Sequence, residues 1–216
     1  MTPTTLSQRW FLWNSGAWLI GFVLYTPIAH GVTGAHPGDL TPPQIVAHSI
    51  AVAVVGVIVA GAQRRALAPF VSVPWVRVLV TAVVFNIGYW IGANLPIDWD
   101  TDILLGFLAL GSAAWVGIVP INGHRLSAAV ALLSFPVASV IIELTLVGVV
   151  VLLLGITPDL QTSMLQHSIF WITVGGGSGI LGGWLSGLAL ARMLPLPSRQ
   201  AAAQQALAGD VAAPRS

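Results

Sequence analysis

The sequence predicts an all-α polytopic membrane protein, a six-transmembrane-helix bundle with N and C termini cytoplasmic. Three observations lead there. Only 7% of the 216 residues are charged and 56% are hydrophobic, with a mean hydropathy of +0.89, whereas soluble domains carry roughly 25% charge. Six stretches stay apolar over the roughly 20 residues a helix needs to cross hydrocarbon. Finally, the Arg residues fall in alternate connections, and apart from Asp210 the Asp residues fall in the others.

The first span, about 10–29, is too long and too rich in Trp for a cleaved signal peptide. The second and third cover about 45–63 and 75–95, and the fourth and fifth about 102–121 and 127–156. The sixth covers about 166–194, and a polar, Ala/Gln-rich tail follows over 197–216. Residues 1–196 form a single transmembrane domain on this reading. Arg9, Arg64, Arg65, Arg77, Arg125 and Arg192 mark the cytoplasmic ends, while Asp39, Asp98, Asp100, Asp102 and Asp159 mark the outer ones. Pro27, Pro42, Pro43, Pro74, Pro96, Pro120 and Pro158 fall at span boundaries, where a helix starts or stops at little cost. Trp10, Trp13, Trp75, Trp99 and Trp171 sit where an aromatic belt would lie.

The expected location is therefore the cell (inner) membrane, with the lipid bilayer as the first partner. A formal net charge of +1 with no Lys gives no basic field for nucleic acid. The absence of Cys excludes disulfides, thiolate metal sites and Cys nucleophiles. No P-loop, H-E-x-x-H, nucleophile elbow or dinucleotide fingerprint occurs, so the sequence points away from an enzyme.

Glu143 is the outstanding candidate. It lies mid-span in Ser139–Val147 with no other charge nearby, two turns after Pro136. A carboxyl at that depth must be paired, solvated or protonated. It is read as a site for a small solute or ion, with Asn86 at similar depth as its partner. The alternative is a hydrogen bond to Asn86 or Thr145 that merely joins helices. His30, His36, His48 and His167 lie on the outer side, and neutral imidazoles bind metals or tetrapyrroles. His48 and His167 would be the pair for a haem or chlorin in an accessory subunit of a larger membrane assembly; the leading reading needs no cofactor. Gly175, Gly179, Gly183 and Gly187 recur every four residues, forming a flat stripe for close helix packing.

Two motifs repeat. Trp13-Asn-Ser-Gly-Ala-Trp18 and Phe85-Asn-Ile-Gly-Tyr-Trp90 share aromatic-N-x-G-x-W, and His-Ser-Ile begins at both His48 and His167. Residues 60–92 resemble uncharacterised multi-span bacterial membrane proteins whose helix ends read G-x-x-Q-x-x-x-L-R. Gln63 and Leu67 fit that pattern, and Ala68 stands where it ends in Arg. Six spans with both termini inside are also similar in size and topology to the substrate-binding subunits of energy-coupling-factor vitamin transporters. That resemblance implies a small-solute ligand and other membrane subunits as partners.

Overall fold

The computed structural model describes residues 3–33, 40–70, 72–93 and 164–193, together with Ala138, Ile141, Thr145 and Val149. Apart from the short connecting residues 40–41, 68–70 and 72–74, the described residues are helical, and none of them is in a strand. They form four helices: α1 (Pro3–Thr33), α2 (Pro42–Leu67), α3 (Trp75–Ala93) and α4 (Met164–Met193). One of them, Pro42–Leu67, is long and apolar enough to cross a membrane. The predicted fourth span, Glu143, His36, the acidic outer connections and the tail lie outside the described residues. Within the predicted fifth span, Ala138, Ile141, Thr145 and Val149 are helical.

The helices pack as a sequence of antiparallel neighbours, with α1 between α4 and α2, and α3 on the far side of α2. On α1, Tyr25 meets His48 of α2 and Asn14 meets Gln63, so the two chains run in opposite directions. In the same way Trp10 meets Ser186 of α4, while Phe22 meets Gly175. Ser49 of α2 meets Asn86 and Trp90 of α3.

Local chemistry explains the helix ends. Pro42 and Pro43 open α2, where a missing N–H leaves no bond unmade. Gln44 Oε1 accepts from the Thr41 backbone N–H at 2.9 Å, one half of a capping box. At the other end, Arg64 Nε donates to the Val73 carbonyl at 2.8 Å, and its guanidinium lies 4.3 Å from the Trp75 ring centroid. One arginine thus closes the turn between α2 and α3.

Two boundary expectations change. α1 begins at Pro3, well before residue 10, because Leu6 and Trp10 are buried against Ala66, Leu67, Val73 and Leu190. It also runs through Pro27 to Thr33, so that proline sits inside the helix and does not end it. Prolines are tolerated inside apolar helices when neighbouring groups re-satisfy the freed backbone. As a result Trp10 is no belt residue: it is fully buried and its Nε1 donates to Ser186 Oγ at 2.9 Å. Trp13 and Trp75 do remain exposed.

Candidate functional site

The α1–α2 seam alternates apolar and polar layers. A dry layer of Ala17, Trp18, Phe22, Val52, Val55, Val59 and Phe85 fills its middle. Trp18 stacks on Phe22 at 5.9 Å and lies 5.8 Å from Phe85. Polar clusters lie on either side of it.

One cluster, outer on the topology expected from the sequence and so labelled below, centres on His48, which is buried. The only two tyrosines in the chain converge on it from different helices. Tyr25 Oη lies 2.8 Å from His48 Nε2 and Tyr89 Oη lies 2.6 Å from it, while Tyr25 Oη donates to Tyr89 Oη at 3.3 Å. Rings enclose the imidazole, with Tyr89 at 4.9 Å, Tyr25 at 5.3 Å and Trp90 at 5.7 Å between centroids. The other ring nitrogen, Nδ1, is buried and has no hydrogen-bond partner. Beside it, Trp90 Nε1 donates to Ser49 Oγ at 2.8 Å and Asn86 Nδ2 donates to the Ser49 carbonyl.

The other cluster, inner on the same expectation, is built from amides. Gln63 Nε2 donates to Asn14 Oδ1 at 2.9 Å, both side chains being buried. Gln63 Oε1 and the neighbouring Ser15 Oγ are buried without a partner. The glycine stripe of α4 borders this cluster. A Cβ added at Gly183 would stand 2.9 Å from Asn14 Nδ2 and 3.0 Å from Ser15 Oγ. At Gly175 and Gly179 it would overlap the Phe22 ring and the Trp18 side chain, and at Gly187 it would come 3.1 Å from the Ser7 carbonyl. All four glycines are buried, and α1 lies directly on the stripe they form.

Asn86 thus links α3 to α2 through a backbone carbonyl, and Thr145 Oγ1 donates to its own helix at Ile141 O, 2.6 Å away. Asn86 keeps a second N–H and its Oδ1 beyond this bond, and Thr145 Oγ1 can still accept. Glu143 and His36 lie outside the described residues. His30 falls in the final turn of α1 and His167 in the first turn of α4, and only their backbone is described. Among the described residues no three His, Asp or Glu gather in a metal-binding group, and none of them is an Asp or Glu at all.

The repeated motif acquires a structural meaning. Asn14 and Asn86 occupy the same place in aromatic-N-x-G-x-W, and both reach α2, from α1 and from α3 respectively. Sequence reasoning missed Tyr25, Tyr89 and Gln63. The signal for Gln63 was periodic: His48, Val52, Val55, Val59 and Gln63 follow a helical spacing of four and three, and all are buried.

No family profile, curated protein or solved structure matches the chain. What the arrangement offers chemically is an imidazole and two phenols in one hydrogen-bonded chain at one end of the seam, and amide and hydroxyl oxygens at the other.

Proposed function

We propose that the protein is a six-span helical bundle of the cell membrane that binds or moves a small solute or ion. The polar groups along the α1–α2–α3 seam, Asn86 and Glu143 provide its intramembrane binding groups. One observation carries this reading, the inversion of polarity between surface and interior. Large apolar side chains stand exposed on all four helices, among them Ile20 at 55%, Val46 at 59%, Val76 at 61% and Trp184 at 51%. The interior meanwhile holds His48, Asn14, Gln63, Thr26, Thr81, Ser178 and Ser186. An apolar exterior of this kind suits lipid rather than water. Helix direction supports the count: α3 runs parallel to α1 and α4 antiparallel to it, which requires an even number of crossings between α3 and α4. The apolar stretches at about 102–121 and 127–156 supply two.

The chain has no Cys, so single cysteines report topology on a clean background. Ala68→Cys should label only from the cytoplasmic side and Asp100→Cys only from outside. Solute movement is tested in proteoliposomes with a trapped pH-sensitive dye, by adding Na⁺, K⁺ or small organic acids and amines in turn. A wild-type flux that Glu143→Gln abolishes while remaining folded fits the reading. Equal flux in both across pH would remove Glu143 from the mechanism.

A second reading has its own observation, the unpartnered Nδ1 of His48 among aromatic rings. With Nε2–H donated to a tyrosine oxygen, Nδ1 would present a lone pair to a metal, as outer partners do for ligating imidazoles. An accessory subunit holding a haem or chlorin would then show a visible absorbance band that His48→Ala removes.

A further inference from the structure

We propose that the arginine cluster around the α2–α3 turn binds the phosphate of an anionic phospholipid headgroup. The inference rests on the membrane reading above and adds a specific lipid to it. Four of the chain's eight arginines belong to this cluster, and measured contacts tie their segments together. Arg9 Nη2 donates to the Arg65 carbonyl at 3.3 Å, so α1 brings its cation to the last turn of α2. Arg64, next in sequence to Arg65, is fixed to the Val73 carbonyl at 2.8 Å and lies 4.3 Å from the Trp75 ring centroid. Arg77 sits in the first turn of α3, where its backbone N–H donates to the Pro74 carbonyl at 3.1 Å. Arg65 is exposed and the other three are half-buried, so all four reach the surface.

The charge balance calls for an anion. None of the described residues is an Asp or Glu, so four full positive charges stand among them without a carboxylate. Helix ends do not neutralise them. The C-terminus of α2 offers about −0.5 of a charge and the N-terminus of α3 about +0.5, and the two cancel. Arg9 and Arg64 each spend one donor on a backbone carbonyl. The Arg65 and Arg77 guanidinium groups have no hydrogen-bond partner among the described residues. A guanidinium is a planar fork of donors that matches phosphate geometry, and basic surfaces at the cytoplasmic ends of membrane helices bind anionic headgroups. What borders the cluster selects a lipid over a free phosphate. Trp75, Val76, Leu79 and Val83 stand exposed along α3, starting beside Arg64 and leading away from the turn. Acyl chains can lie on that stripe while the headgroup stays at the arginines.

The test uses the full chain in a neutral detergent. Phosphatidylglycerol and phosphatidylcholine with identical acyl chains are titrated in, and bound lipid is counted by native mass spectrometry. Wild type should hold phosphatidylglycerol more tightly. The double variant Arg65→Gln/Arg77→Gln should weaken that binding about 25-fold, at roughly fivefold per cation near a membrane surface, and leave phosphatidylcholine unchanged. Neither substitution removes a side-chain bond, so the thermal midpoint should match wild type. Arg125→Gln, on another predicted cytoplasmic connection, should bind both lipids as wild type does. An equal loss there would reduce the effect to net charge and overturn the site. Equal retention of the two lipids by wild type also overturns it. A preference that emerges only in Asp210→Asn would give the arginines to the chain's own tail, against the proposal. Glycerol 3-phosphate at the same concentration should not displace the lipid; displacement would make the site one for free phosphate esters. A wild-type chain that retains neither lipid and stays dispersed without detergent defeats the membrane reading itself, which is a separate failure.

Discussion

The two polar clusters differ in how their hydrogen bonds are shared. At the outer end, two phenols serve one imidazole nitrogen and also bond each other. Losing any single hydroxyl leaves the nitrogen a partner. At the inner end one amide serves another through one bond, and two further oxygens are left over. The outer cluster is redundant; the inner one is not. Both interrupt the same α1–α2 seam, so the contrast lies in their side chains and in their third wall. The outer cluster is closed by aromatic residues of α3, and the inner one by the bare glycine face of α4.

This contrast is open to direct attack, beginning with the third wall. Gly179→Leu would drive a side chain into Trp18 and push α4 off α1. The expected cost is about 3 kcal/mol, at the upper end for overpacking, read by unfolding in mixed detergent micelles. The inner cluster should open with it: Asn14→Cys should become reactive to a membrane-permeant thiol reagent in the leucine background, whereas Tyr89→Cys should not. Equal reactivity at both positions would show that α4 supports the two ends alike.

A smaller effect separates the clusters by their bonds. Asn14→Leu leaves the Gln63 amide with no partner and should destabilise by about 1–3 kcal/mol, the usual penalty for an unmet buried polar group. Smallest is Tyr25→Phe, expected to cost less than about 1 kcal/mol because Tyr89 still reaches His48. Tyr89→Phe alone should behave alike, while the double variant should exceed the sum of the two by about 1 kcal/mol. Strict additivity of the tyrosine pair would refute the idea that they are redundant.

Much of this architecture was legible in the residues. Length and apolarity gave α1 to α4 their approximate extents, since few other signals compete in so uniform a sequence. The four-residue recurrence from Gly175 to Gly187 identified the face of α4 that lies on α1. Other features were hidden for physical reasons. The polar start of α1, Thr4 to Arg9, carries no apolar period of its own, and its helix is held by tertiary burial of Leu6 and Trp10. Gln63 stands next to Arg64 and Arg65, so it reads as part of a solvated helix end, although its turn of α2 faces Asn14. The convergence of Tyr25, His48 and Tyr89 depends on the register between three helices, which spacing along one of them does not encode.

The pairing of the first helix with the last also sets a timetable. Trp10 and Ser186 are 176 residues apart in the chain, whereas α2 and α3 are joined by a turn that Arg64 already fastens. A chain emerging from the ribosome can form the α2–α3 hairpin and the α1–α2 contact early, since short loops close quickly and at little entropic cost. The face of α1 carrying Ser7, Trp10, Asn14, Trp18 and Phe22 must then wait, uncovered on that side, until α4 has been made. A premature stop before residue 164 would leave that face permanently without the cover that α4 provides.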